Sequence, residues 1–214
     1  FSVAFSLTQI VGSVGDFGFN LALQRLVAAH AHQDEIKTAA VIQIIGKIKL
    51  FTMFLAVLVG LLFGPVLATT IFHVNNPALI TLGVALASVV LLYGYVMTII
   101  QAIAKFTFAV FLNAIQAILK CGLAIVSFIL LPPDPQLAYL WYGLAPLSAS
   151  AIGLVSIAHY FKHLPAYSPV WREIVHIARF GAVAVLAIAI GENIDVLMVN
   201  ASLSAYQTGL YAAA

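Results

Sequence analysis

Charge is what this sequence has least of. Of its 214 residues 7% are Asp, Glu, Lys or Arg, where an ordinary globular domain carries about a quarter. A single cysteine, Cys121, excludes an internal disulfide and leaves the redox compartment open. The formal net charge of +2 is too small to indicate nucleic acid as a partner. No glycine-rich phosphate loop, nucleophile elbow or pair of catalytic carboxylates in a loop occurs, so no active site is expected and the chain is not read as an enzyme. A cleavable signal pattern is also lacking, because Phe1 opens directly inside a long apolar segment. The missing initiator methionine and the apolar end "TGLYAAA" read as the two ends of an excerpt.

Apolar residues make up 64% of the chain, with a mean hydropathy of +1.12. They fall into six runs near residues 2–29, 39–63, 78–103, 106–131, 137–161 and 174–199, each long enough to cross a bilayer as a helix. The connections are too short for a soluble domain. Runs such as "FLAVLVGLLFGPVLA" are continuous, whereas the strands of a membrane barrel alternate. The expected fold class is therefore all-α, a polytopic transmembrane helical bundle.

Six alternating spans gather Arg25, Lys37, Lys105, Lys162, Arg172 and Arg179 at one end and no Lys or Arg at the other. The basic end is cytoplasmic by the positive-inside rule. The opposite end, with "FHVNNP" and "LPPDPQ", faces outward, and Trp141 and Tyr142 suit an aromatic belt there. Between the fifth and sixth spans, "KHLPAYSPVWRE" is expected to lie along the cytoplasmic interface, with Tyr167 and Trp171 anchored and Lys162 and Arg172 near anionic lipid.

Polar residues inside the spans are few and patterned. Ser6, Gln9, Ser13, Asp16, Asn20 and Gln24 share one face of the first span, and Arg25, off that face, can snorkel to the interface. In the second span Gln43 and Lys47 share a face that Lys49 cannot join. Asn113, Gln116, Lys120 and Ser127 share a face of the fourth, with Lys120 about midway. The sixth carries Glu192 and Asp195 one turn apart near its outer end. A lone charge at the bilayer centre costs about 2.5 to 3.5 kcal/mol on insertion scales. Either these groups form structural ion pairs and interhelical hydrogen bonds, or they line a hydrated cavity. The number of charges spread over four spans favours the cavity, with Asp16 facing it. Gly12, Gly15, Gly18, Gly60, Gly64, Pro65, Gly143, Pro146 and Gly153 permit close packing or bending. His159 and His163 have helical metal-pair spacing but no third ligand, so no metal is expected. His30 and His32 read as a solvated loop, and the sequon at Asn200 carries little weight.

Two stretches carry a family resemblance. "GDFGFNLALQRLVA" resembles the segment at the end of the second transmembrane helix of polysaccharide-export flippases, where an Asp-Phe-Gly core leads into an arginine. "NIDVLMVNASLSAYQTGLYAAA" resembles their seventh helix and the start of the eighth. These transporters, including the O-antigen type, belong to the multidrug/oligosaccharidyl-lipid/polysaccharide exporter superfamily. The resemblance implies a MATE-like fold with about six spans present out of twelve or more. Residues 1–161 would form the N-terminal bundle (family helices two to six), 162–173 a cytoplasmic interfacial linker and 174–214 the start of the C-terminal bundle. It implies a multi-pass protein of the inner or plasma membrane that flips a polyprenyl-diphosphate-linked oligosaccharide outward by alternating access.

On that implication Asp16, Asn20, Gln24, Arg25, Lys47, Lys49, Asn113, Gln116 and Lys120 are the substrate-binding candidates, the lysines because cations in a low-dielectric cavity stabilise a diphosphate. Asp16, Glu192 and Asp195 are the ion-coupling candidates, for a proton or sodium, with no other cofactor. The expected partners are the lipid-linked oligosaccharide, membrane lipids and a polysaccharide polymerase or other assembly protein, with no nucleic acid. The competing readings are a multidrug or other small-molecule exporter, a membrane-embedded glycan ligase or polymerase, and a non-transporting helical scaffold.

Overall fold

A computed structural model describes residues 2–31, 33–70, 77–130, 135–162 and 170–202. His163 with the rest of the 163–169 linker, most of both outward connections, and the side chains of Glu192, Asp195 and Asn200 lie outside the described residues. Seven α-helices follow one another: α1 (Ser2–Asp16), α2 (Phe19–His30), α3 (Glu35–Thr70), α4 (Pro77–Ala102), α5 (Phe106–Leu130), α6 (Pro135–Ile157) and α7 (Val170–Ser202). A 3-10 turn, Ala158–Phe161, extends α6, and no strand occurs among the described residues. Five of the helices contain stretches long and apolar enough to cross a membrane: Glu35–Val66, Ala78–Ala102, Phe106–Ser127, Gln136–Phe161 and Val170–Gly191. The protein is an all-α, multi-pass membrane bundle.

The up-and-down order of the spans is visible in the core. One cluster joins Leu26 and Val27 at the end of α2, Ala39 and Ile42 at the start of α3, Ile100 and Ala102 at the end of α4, and Ile157 and Ile174 from α6 and α7. The other joins Ala4, Ala68, Leu79, Ile80 and Tyr139. Chain ends that sequence order predicts to lie together therefore do. Arg25, Lys37, Lys105, Lys162, Arg172 and Arg179 are all exposed and belong to the end marked by the first cluster.

The helix α4 is central and packs against α1, α2, α3, α5 and α6. It packs closely on α3 along Gly60 and Gly64, where a Cβ at Gly64 would come within 2.4 Å of the Thr81 hydroxyl. Small residues spaced by four let two membrane helices approach in this way. The outward faces are apolar, as with Phe51, Phe54, Leu58 and Leu61 on α3 and Ile118, Ile125 and Ile129 on α5. In water such a surface is a liability, and in hydrocarbon it is the stable arrangement.

The first expected span is not continuous. The helix stops at Asp16, and Phe17 and Gly18 take left-handed backbone angles (φ 46° and 71°) before α2 begins. The cause lies in α7. A Cβ on Gly18 would sit 2.4 Å from the amide nitrogen of Ala182 and 2.6 Å from the carbonyl of Ala178, so two backbones touch at this level. Only glycine reaches this conformation without a penalty, and the chain uses it to turn α2 onto α7.

Candidate functional site

Asp16 ends α1 and is buried at 7% exposure. In a continuous helix the Asn20 amide would donate to the Asp16 carbonyl. Here it donates to the Asp16 carboxylate, 3.3 Å away. A carboxylate before the first turn of α2 both satisfies an orphan N–H and meets the positive end of the helix dipole. The same carboxylate oxygen accepts from the Lys49 ammonium of α3, whose side chain is 1% exposed. The expectation that Asp16 faces open space is thus not how the side chain stands: its negative charge is held by Lys49 inside the bundle. Lys49 and Lys47 separate as their spacing requires, since Lys47 is exposed at the basic end of the apolar stripe formed by Leu50, Phe51 and Phe54.

The Asn20 side chain lies against α4, its Nδ2 3.3 Å from where a Cβ of Gly94 would stand. Its buried side-chain oxygen has no hydrogen-bond partner among the described residues. Gln24 and Arg25 are exposed further along α2. Gln43 is buried and donates to the Tyr160 carbonyl at 2.8 Å, tying the 3-10 turn to α3. The polar face read on the first span is therefore divided. Asp16 turns to Lys49, Asn20 to α4, and Gln24 outward.

A second polar group stands on α5. The Tyr93 hydroxyl of α4 donates to the Asn113 side chain. Two turns further out, the Lys120 ammonium lies 4.2 Å from the centroid of the Tyr142 ring of α6. Gln116 sits one turn from each, partly buried. These contacts place Asn113, Gln116 and Lys120 along the edge of α5 that faces α4 and α6. Tyr142 also meets Phe5 of α1 edge-on, with centroids 5.4 Å apart, and stacks beside Tyr139 at 6.2 Å. A row of side chains thus crosses from α5 over α6 to α1, although α5 itself makes no extended contact with α1. Lys120 is partly buried and meets no carboxylate among the described residues.

The structure therefore keeps Asp16 with Lys49 and Lys120 with Asn113 and Gln116, in two separate places. Tyr93 and Tyr142 complete the second place; in the sequence Tyr142 reads as an aromatic-belt anchor, and Tyr93 stands alone in an apolar run with nothing to single it out. Their separation from Asn113 and Lys120 by about twenty residues carries no periodic signal. Next to Tyr142, a cavity of about 340 Å³ between α4 and α6 is lined by Leu86, Val89, Leu140, Trp141, Leu144 and Leu147. It offers no charged group and suits hydrocarbon. No family model, curated protein or solved structure matches the chain.

Proposed function

We propose that the protein is a transporter that moves a polyprenyl-diphosphate-linked oligosaccharide from the inner to the outer leaflet of the cell membrane by alternating access. The observation that carries the reading is Lys120: a cation midway along a membrane helix, flanked by Asn113 and Gln116, with a tyrosine ring and, among the described residues, no carboxylate beside it. A charge kept at that depth, with no anionic partner among the described residues, supports a path for an anion. A diphosphate supplies two negative charges and strong acceptors, and amides suit sugar hydroxyls. Lys49, by contrast, is neutralised by Asp16, and the two together add no net charge.

The test is Lys120→Ala in the full-length protein, reconstituted and assayed for translocation of a lipid-linked oligosaccharide. Transport is expected to be lost while insertion and abundance stay at wild-type levels. Wild-type flux from this variant removes Lys120 from the path. One observation favours a second reading, export of small aromatic molecules by the same architecture, namely the ring cluster of Phe5, Tyr139 and Tyr142. Lys120 in contact with that cluster argues against cationic cargo, because like charges repel where water is excluded.

A further inference from the structure

We propose that the break between α1 and α2 is a monovalent-cation site whose cation is built into the chain: the Lys49 ammonium occupies the place that a sodium ion would take if the lysine were absent. Three observations meet there. The chain leaves helical geometry at Phe17 and Gly18 (φ 46° and 71°), between α1 and α2 and within the apolar run expected as the first span, and interrupted membrane helices use their half-helix C-terminal ends to coordinate sodium or protons. Asp16 ends the first half-helix and turns its carboxylate back to the break, where it accepts from the Asn20 amide. Lys49 comes from a neighbouring helix, is 1% exposed, and delivers one positive charge onto that carboxylate. An ammonium on a four-carbon stem is a compact point charge. In charge and position it substitutes for a bound alkali cation, and unlike one it cannot dissociate.

The alternative is an ordinary structural ion pair, and the two differ in one respect. A cation site vacated by its lysine retains a buried carboxylate at a helix break, and that arrangement selects a small cation from solution. An ion pair formed only by packing leaves a cavity shaped for a lysine side chain, and no salt repairs it. No other described acidic side chain stands at the level of the break to compete, since Asp34, Glu35 and Glu173 stand at or just before helix starts near the basic end. The inference is independent of which cargo the protein carries.

The experiment measures thermal unfolding of the purified full-length protein in sodium, lithium, potassium and N-methylglucamine chlorides at constant ionic strength. The wild type is expected to show the same Tm in all four. Lys49→Ala is expected to show a lower Tm in N-methylglucamine that sodium or lithium largely restores in a saturable manner, with Asp16→Asn in the same chain abolishing the restoration. A Lys49→Ala Tm that is equally low in every salt overturns the proposal. So does saturable sodium stabilisation of the wild type that Asp16→Asn removes. If Lys49→Ala is recovered only from sodium-containing medium, the proposal stands. If it cannot be recovered even there, while Asp16→Asn/Lys49→Met can, external sodium does not support the vacated carboxylate and the proposal fails. Recovery of neither variant has the same consequence.

Discussion

Gly18 and Gly181 bring two backbones into van der Waals contact: a Cβ built on Gly181 would stand 3.1 Å from the Gly18 Cα and carbonyl oxygen. One glycine caps the start of α2 and the other lies in the interior of α7, so the contact couples the break in the first expected span to the helix that follows the linker. The two positions are not equivalent. Gly18 has a left-handed backbone and would drive its Cβ to 2.4 Å from backbone nitrogen, whereas Gly181 is helical and would meet its neighbours at 3.1 Å.

Gly18→Ala is therefore expected to be the more damaging change. The left-handed conformation alone costs an alanine about 1 to 2 kcal/mol, and backbone atoms cannot move aside as a flexible side chain can. Gly181→Ala is expected to cost less, since a shift of a few tenths of an ångström relieves it. Tm values of the two purified variants check the order, and an equal or larger loss at Gly181 contradicts the packing described.

The Asp16–Lys49 pair predicts a strongly non-additive cycle. Removing one partner from a buried pair typically costs about 3 to 5 kcal/mol because the other charge is left uncompensated, while replacing both with neutral groups of similar volume is often near neutral. Asp16→Asn and Lys49→Met, measured without sodium, are each expected to destabilise by that order, and the double variant to recover most of the loss. Denaturation of all four proteins in N-methylglucamine chloride measures the coupling. Additive losses would mean that the two side chains do not depend on one another.

These features also show what the sequence made legible. Hydropathy alone reads six spans, and five of them coincide with helices long and apolar enough to cross a membrane, while the first is divided into two shorter helices at Phe17 and Gly18. The gathering of basic residues at one end follows from alternation. The break at Phe17 was not legible, since Gly12, Gly15 and Gly18 look like the small residues that membrane helices carry routinely, and a phenylalanine with positive φ has no local signal. That Lys47 and Lys49 point apart was legible from their spacing. Which of them turns inward was not, because it depends on Asp16, 33 positions away.

A second network ties the outer end together and yields an independent prediction. The Tyr139 hydroxyl donates to the Ala4 carbonyl at 2.9 Å and hydrogen-bonds with the Thr8 hydroxyl, which also contacts the Gly83 carbonyl at 2.7 Å. Three helices thus meet in one buried hydroxyl cluster. Tyr139→Phe keeps the ring and leaves acceptors unsatisfied, at a cost of about 1 to 3 kcal/mol. Thermal unfolding in detergent is expected to show that loss, whereas Tyr142→Phe, which keeps the ring beneath Lys120, is expected to cost much less. Equal stability of Tyr139→Phe and wild type would mean the network is not formed.

The polar edge of α5 makes the sharpest separation between a transport path and a packed scaffold. Cys121 is exposed and must first be replaced by alanine. On that background, single cysteines at Asn113 and Gln116 test the edge facing α4 and α6, and cysteines at Ile118 and Ile125, which are 70% and 58% exposed, test the opposite face. Thiols react with a membrane-impermeant maleimide only as hydrated thiolates, so exposure to hydrocarbon gives no labelling. Reaction is expected at 113 and 116, little at 118 and 125, and none at a cysteine replacing Asp16, which packing seals. If 113 and 116 prove as unreactive as 118 and 125, the edge of α5 is dry, Lys120 is held by Tyr142 as part of the packing, and an anionic headgroup has no route along it.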